Sequence, residues 1–463
     1  MAKYLYGASI QGIQEFIFKT NQLQEIIGAS EIVRSLEGEF TAFANVADEN
    51  ILLNAAGNIK ALFDDEENLR NVVKNFPKKI MQKAYGITLS QAVVDMTKAE
   101  YDTYEKAINA LEKKLKTQRN KPSIPLDISI NLMELAPKTA RPVAKIEKKG
   151  NDEIRMDVST AQKYQANPTN KGQLSDLKNS KGKIAIIHAD GNGLGALIPT
   201  LSNIPVFSKG LDKATHEAYE EAKKVIQSGK IRKIILGGDD MSVICDANDA
   251  LAFTRTFLEK FETLTYMHTG HKLTACAGIA FCNEKYPFHY AVSLAEALCG
   301  ATKKHAKNID KKLAPSSLMF HNIQSSNFQS WEKFIEDELT IRNDHDVIRC
   351  DFGPYYVAHV GQPSIEDLID VVKVYQQEGS PISRLREWLG ELSKSHHYAK
   401  DLLDRINENS AQNDKKALDT LNLKLKKVHP ALGTQTMIIP KDGFDKTLIY
   451  DVLQILSVTE AKA

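Results

Sequence analysis

Apolar and polar positions along this chain switch between a period of two and a period of about 3.6, and the order of the switches occurs twice. Lys3–Ser9 reads as a short strand ended by Gly7 and Ser9. From Ile10 the apolar positions Ile10, Ile13, Phe16 and Ile17, continued by Leu23, Ile26 and Ile27, suit one helical face. Gly28-Ala29-Ser30 interrupts that face, and Ser30 is placed to N-cap a second helix reaching about Val46. Strand runs at Asn50–Asn54 and Ile59–Phe63 are joined by Ala55-Ala56-Gly57-Asn58. A helix over Glu66–Tyr85, a strand over Ile87–Val94 and a polar helix over Thr97–Leu115 follow. The order predicts β-α-ββ-α-β, the split arrangement of ferredoxin-like folds.

Thr117–Pro125 is basic and Pro-flanked and reads as a loop, Ile128–Leu135 fits a strand, and the polar Asn151–Lys183 reads as a flexible connector. At Lys183 the pattern starts again. Ile184–Ala189 is an apolar strand running into Asp190-Gly191-Asn192-Gly193-Leu194-Gly195. A helix over Leu211–Gln227 leads to a hairpin whose strands, Ile231–Leu236 and Met241–Cys245, flank Gly237-Gly238-Asp239-Asp240. An amphipathic helix over Ala247–Thr269, a strand over Leu273–Phe281 and a helix over Tyr290–Lys307 complete a second β-α-ββ-α-β unit.

The hairpin at 51–59 holds the place in the first copy that 234–243 holds in the second, with Ala-Ala-Gly-Asn where the second has Gly-Gly-Asp-Asp. A duplicated domain with one chemical site is the simplest account. From Ala314 the character changes to helices at Ser364–Gln377, Pro381–Ser393, His396–Asn409 and Asp414–Leu425, with Trp388 and Tyr398 read as core.

Composition narrows the class. Hydrophobic residues at 42% and a net charge of +1 describe a globular chain with ample core and no bias toward a polyanionic partner. RNA contact is expected to be weak and salt-dependent, through the basic stretches 111–122 and 141–149. The five cysteines form no Cys-x-x-Cys pair and sit in apolar surroundings, as free thiols in a reducing compartment would. No disulfide partner, membrane span or secretory leader is expected, and the location read from this is cytoplasmic.

Two adjacent carboxylates at a hairpin tip repel each other, so a purely structural turn has little reason to choose them. Mg²⁺ or Mn²⁺ does, because hard cations take carboxylate oxygens and bring phosphates with them. In a sheet of order 4-1-3-2, strands one and three are neighbours about 4.8 Å apart, taken here as parallel. Asp190 ends strand one, and Asp239 and Asp240 open strand three, so three carboxylates are expected to converge. Gly191, Gly193 and Gly195 leave backbone N–H groups free to cradle phosphate oxygens. Lys303, Lys304 and Lys307 offer cations for a triphosphate, with a solvated basic face the equal alternative. His188, inside an apolar strand, reads as a packed histidine.

The segment 189–195, the hairpin 237–240 and the helix from Ala295-Glu296-Ala297 to Lys303 resemble the second palm domain of the large subunit of type III CRISPR effectors, a relative of GGDEF and adenylyl cyclases. Ser9–Ile17 with Gly28-Ala29-Ser30 resembles that family's degenerate first palm, and Gly353-Pro354-Tyr355 with its following helices resembles its C-terminal domain. The resemblance implies an α+β chain: a first palm at 1–125, a linker at 126–182, a catalytic palm at 183–313 and a helical domain at 314–463. It implies an enzyme that joins ATP or another nucleoside triphosphate into cyclic or linear oligonucleotide messengers in antiviral defence. Asp190, Asp239 and Asp240 would then hold the cation, with the Gly191 carbonyl assisting. Asn192, Gly193, Gly237, Gly238, Lys303 and Lys307 would serve the nucleotide, and Ser30 a second nucleotide. Other subunits of the effector and its guide and target RNA are the implied partners.

Two departures qualify this. The family often carries a second Asp where Asn192 stands. The chain begins at the palm with no His-Asp nuclease segment, so DNA cleavage is not expected, and residues 110–183 also lack the cysteines of a zinc module between the palms. A non-catalytic scaffold subunit and a stand-alone cyclase of one or two nucleotides are the rival readings.

Overall fold

The computed structural model describes residues 3–460 apart from 21, 56, 102, 122–129, 131, 150–151, 168–172, 202, 325–329 and 344–345. The chain divides into two compact units, residues 1–173 with 200–210, and 174–199 with 211–463.

In the first unit the elements run β1 (Tyr4–Gln11), α1 (Ile13–Phe18), α2 (Leu23–Ala44), β2 (Ile51–Ala55), β3 (Asn58–Phe63), α3 (Glu66–Lys83), β4 (Thr88–Asp95), α4 (Tyr104–Arg119), β5 (Lys145–Lys149), β6 (Asp152–Met156) and α5 (Val158–Ala166). The sheet has the order β2-β3-β1-β4, which is the ferredoxin-like order 4-1-3-2 read from its other edge. Alternation along β1 divides the core. Leu5 packs with Ala107, Leu111 and Leu115 of α4, while the Tyr6 ring stacks on Phe40 of α2 at 5.7 Å, and Phe40 meets Phe76 of α3 edge-on at 5.4 Å.

Four expectations for this unit are corrected. The segment Gly28-Ala29-Ser30 does not break the helix, since α2 runs through it and Ser30 lies in the body of the helix rather than at its cap. Gly28 is there for a close approach: a Cβ would lie 1.7 Å from the carbonyl oxygen of Lys163 in α5. The expected connector over 151–183 instead contains β6, which pairs with β5, and α5, which packs on α2. The expected strand at 128–135 is not present over its described residues, which carry only an isolated bridge from Leu135 to Pro142; 128, 129 and 131 lie outside them. Of the expected loop at 117–125, residues 117–119 belong to α4 and 122–125 lie outside the described residues.

The second unit begins with β7 (Lys183–Gly191), α6 (Leu194–Leu197) and α7 (Ile204–Lys223, in this unit from Leu211), then β8 (Ile231–Gly237), β9 (Asp240–Asp246), α8 (Ala250–Thr269), β10 (Ala275–Asn283), α9 (Phe288–Ile309) and β11 (Ser317–Asn322). Its sheet runs β10-β7-β9-β8 in the 4-1-3-2 order, so the repeat read in the sequence is a repeat of the fold. Phe253, Phe257 and Phe261 of α8 are fully buried. On α9 the approach to the sheet is set by Gly278 of β10, where a Cβ would lie 2.0 Å from the Ala295 carbonyl oxygen.

Beyond residue 314 the chain is mixed rather than helical. β11 pairs parallel with β10 and extends the sheet. After α10 (Trp331–Glu338) come β12 (Thr340–Arg342), β13 (Val347–Arg349), β14 (Tyr355–Tyr356), α11 (Ile365–Tyr375), α12 (Ile382–Leu392), α13 (His396–Val428), β15 (Ile438–Lys441), β16 (Phe444–Thr447) and α14 (Ile449–Val458). β14 lies against β11, and a separate sheet has the order β12-β13-β16-β15. These strands are two to six residues long, too short to show a period against the helices around them. The four expected helical segments are present, including the break at Asp414, where non-helical backbone divides α13, whereas α10 and α14 are not among them. Trp388 is core at 1% exposure, but Tyr398 is 53% exposed and is not. All five cysteines are buried free thiols. Among the described residues no helix is long and apolar enough to cross a membrane.

Candidate active site

The site forms where β7 ends and the β8–β9 hairpin turns. β7 and β9 are antiparallel, which corrects the expectation of parallel neighbours. The crossover through α7 lays β8 parallel to β7, and the tight hairpin then reverses β9. The reversal is what brings the carboxylates together: the last turn of β7 faces the first residue of β9, with Asp190 directly opposite Asp240. Parallel strands would have set Asp190 beside the far end of β9.

The turn is a two-residue loop, Gly238-Asp239, closed by the pair Gly237 and Asp240. Gly238 has φ +60, a conformation that hairpin loops of this length require and a Cβ disfavours. A Cβ on Gly191 would lie 2.7 Å from the Asp239 Cβ, so the missing side chain at Gly191 admits Asp239 to the cluster. Carboxylate oxygens of Asp190, Asp239 and Asp240 all lie within 4.8 Å of one another.

Among the described residues a single ammonium faces them. Lys303 of α9 pairs with Asp190 Oδ2 and donates to the Gly191 carbonyl at 2.7 Å. One positive charge against three carboxylates leaves the cluster under-neutralised. Burial pushes the Asp240 carboxyl up, with repulsion from Asp239 and Asp190 adding to it. Asp239 is raised by burial and then by Asp190. Oxygen ligands only, half-buried and short of positive charge, suit a hard divalent cation.

The other expected residues are not all drawn in. Asn192 is buried and turned away: its amide nitrogen donates to the Thr274 hydroxyl at 3.1 Å and the Ala314 carbonyl at 3.3 Å, and its backbone N–H is held by the Thr274 carbonyl. That N–H is therefore engaged, whereas Gly193, at φ +80, begins the short α6. Lys304 and Lys307 are exposed on α9 beyond Lys303. Ser30 lies in the first unit, on α2.

Two supporting groups carry no motif. Thr215 of α7 donates to the Gly238 carbonyl, and Asp212 accepts from the Gly238 N–H at 3.4 Å, so α7 holds the turn from behind. Beneath the cluster, His188 Nδ1 lies 3.0 Å from the Ser242 hydroxyl across the β7–β9 ladder. Burial lowers the basicity of that imidazole, as fits the packed histidine read from the sequence. Nothing in the sequence alone tells which helix residues would reach the turn.

Residues 183–312 match the sequence model of the family described as Cas10/Cmr2, second palm domain. No curated protein matches the chain. Among solved structures, the Csm1–Csm4 cassette in complex with cA4 aligns at TM-score 0.54 and 12% identity, over 99% of this chain and 70% of that one. The Csm1–Csm4 subcomplex of the type III-A CRISPR-Csm interference complex aligns at 0.53 and 12%, over 99% and 70%. The cassette in complex with one ATP aligns at 0.50 and 13%, again over 99% and 70%. The chain thus has the fold of the Csm1 subunits with which it aligns, and residues 183–312 are similar to the Cas10/Cmr2 second palm domain.

Proposed function

We propose that the chain is a nucleotidyltransferase that joins ATP or another nucleoside triphosphate into a cyclic or linear oligonucleotide messenger, and that it does so beside other subunits of an RNA-guided type III effector. One observation carries the reading: the oxygens of Asp190, Asp239 and Asp240 converge within 4.8 Å, and among the described residues Lys303 alone balances them. The relatives' complexes with ATP and cA4 support the substrate class, and their pairing with Csm4 supports the assembly.

Asp190, Asp239 and Asp240, with the Gly191 carbonyl, would hold Mg²⁺ or Mn²⁺. Such an ion, when bound, polarises the attacking hydroxyl and neutralises phosphate charge. The chain's own part is positioning. Gly238 and Gly191 remove side chains from the approach, Asp212 and Thr215 fix the turn, and Lys303 keeps a cation at the cluster for the triphosphate. In the reaction a 3′-oxygen forms a bond to an α-phosphorus, the bond to the pyrophosphate oxygen breaks, and the hydroxyl proton is lost to solvent. In-line geometry and charge supply most of the rate in such transfers.

The test incubates the purified chain, alone and in its purified assembly, with each nucleoside triphosphate and Mg²⁺ or Mn²⁺, followed by mass spectrometry. Oligonucleotide products that vanish in an Asp239→Asn, Asp240→Asn variant are expected. No product from any nucleotide in either preparation would leave the palm as a scaffold.

A further inference from the structure

Lys303 engages two of the oxygens that the divalent cation is assigned. Its ammonium pairs with Asp190 Oδ2 and donates to the Gly191 carbonyl oxygen at 2.7 Å. Asp190 and Gly191 are the last two residues of β7. A Mg²⁺ ion on the same oxygens would sit about 2.1 Å from each. Through the shared Gly191 oxygen it would lie no more than about 5 Å from the ammonium. Two positive centres at that separation repel, and the ion, with twice the charge at shorter range, takes the larger share of the oxygens' attraction. Lysine and cation thus compete for one place.

Only a side chain needs to yield. α9 is pinned to the sheet by Cys299, Thr302 and Ala306, all buried. The Lys303 side chain, by contrast, is 19% exposed and ends a flexible four-carbon stem. The Asp190 side chain is 35% exposed, so an ion can reach it from solvent as the lysine leaves. In the cation-free protein the lysine has a reason to stay, because carboxylate oxygens of Asp190, Asp239 and Asp240 lie within 4.8 Å of one another.

We propose that Lys303 is the internal counter-ion of the cation-free site: the ammonium and the divalent ion exclude each other at Asp190 and Gly191, and cation binding releases the lysine to meet a phosphate. This exclusion presupposes the cation site proposed above and adds an order of events to it. A triphosphate that arrives before the ion finds the lysine engaged by Asp190. One that arrives with the ion, or after it, finds the lysine free.

The test measures Mn²⁺ binding to the full chain by electron paramagnetic resonance titration, for the unmodified protein, Lys303→Met and Lys304→Met. Lys304 is the exposed neighbour on α9, so its variant loses the same charge without vacating the cluster. Lys303→Met should bind Mn²⁺ about tenfold or more tightly, the size of a lost hydrogen bond between charged groups. Lys304→Met should stay within about threefold of the unmodified protein. Release is read on the unmodified protein by acetylation with acetic anhydride and mass spectrometry, with and without saturating Mg²⁺. Acetylation of Lys303 should rise with Mg²⁺ while that of Lys304 and Lys307 stays constant. In crystals soaked with Mn²⁺, the lysine Nζ should stand away from Asp190.

Equal Mn²⁺ affinity in the two variants, Lys303 acetylation indifferent to Mg²⁺, or an ammonium still on Asp190 beside bound Mn²⁺ would each overturn the exclusion and leave the cation site standing. No Mn²⁺ binding by any of the three proteins would remove the site itself, and the exclusion with it. If Lys303→Met fails to fold, judged by its melting temperature in EDTA and in Mg²⁺, acetylation and the soaked crystals of the unmodified protein decide.

Discussion

Asp190 and Asp240 stand directly opposite each other on antiparallel strands, one at the end of β7 and the other at the start of β9. Facing carboxylates at the end of a strand pair destabilise the ladder unless a cation lies between them. The chain tolerates the cost with one lysine, and Asp239 on the adjoining turn adds to it. This pairing makes the site testable through stability as well as turnover.

With both hairpin carboxylates replaced, as Asp239→Asn with Asp240→Asn, nucleotide turnover should be lost while the cation-free protein becomes more stable at neutral pH. The sign follows from the raised carboxyls. A group whose folded-state pKa lies above its unfolded value gives its full stability below the unfolded value, about 4, and loses it as pH rises. The variant's advantage should therefore be absent near pH 4 and grow upward from there. Mg²⁺ should raise the melting temperature of the unmodified protein and leave the variant unmoved. Scanning fluorimetry with EDTA or Mg²⁺ across pH reads both effects. Equal Mg²⁺ response in the two proteins would remove the cation site.

At Gly28→Ala two effects oppose. Alanine favours a helix interior over glycine by about 1 kcal/mol. Against that, its Cβ would sit 1.7 Å from the Lys163 carbonyl oxygen, a backbone atom that cannot step aside without moving α5. Overpacking of this kind costs about 1–3 kcal/mol or more, so the variant should be less stable. Chemical denaturation measures it. A more stable variant would mean that α5 does not dock there.

Ser30→Ala separates a cap from a body position. A lost N-cap would cost about 1 kcal/mol, whereas in the interior of α2 the exchange is favourable by a few tenths of a kcal/mol on propensity. Stability unchanged within about 0.5 kcal/mol is expected. If turnover falls about tenfold or more in the same variant, the hydroxyl serves a nucleotide, because loss of a hydrogen bond to a charged group is of that size. Unchanged turnover would take Ser30 out of the reaction.

How far the sequence carried depended on the range of the interaction. Both β-α-ββ-α-β repeats and the helices on either side of Asp414 were legible, because periodicity and breaker residues are local. The identity of the acidic cluster was legible too, since Asp190 and the Gly-Gly-Asp-Asp turn flag themselves. Strand direction was misread as parallel, although a hairpin after a crossover already dictates the reversal. Gly28 was misread because a glycine needed for close helix packing looks the same in sequence as one that ends a helix. β11 was missed for another reason: its run Ser317–Asn322 has no alternation, being buried throughout in the sheet. Asp212 and Thr215 could not have been chosen among the polar positions of α7, because only the fold says which of them faces the turn.

A last prediction concerns the buried acid Asp451, on α14. Tyr355 donates its hydroxyl to Asp451 Oδ2 at 2.6 Å, and Asp351 lies close enough to repel a charge there. Burial is the main cause that pushes the Asp451 carboxyl up to about 7, against the stabilising bonds from Tyr355 and the Gly353 N–H. The folded value thus exceeds the unfolded one, so the native state holds the proton more tightly. Its contribution to stability is complete below about pH 4 and declines as pH rises, until the group is ionised in both states above about pH 7. Asp451→Asn keeps the shape and an oxygen for Tyr355 but cannot ionise. Relative to this variant the unmodified protein should lose about 2–4 kcal/mol between those limits, an upper range because a shift of one unit is worth 1.36 kcal/mol only for a fully resolved titration. The difference between the two proteins cancels carboxylates elsewhere, including Asp239 and Asp240, provided the sites do not couple. Urea denaturation at intervals from about pH 4 to above pH 7 gives the curve. A difference that stays flat over the whole range would show that Asp451 is ionised in the folded protein, and that Lys446 or another cation reaches it after all.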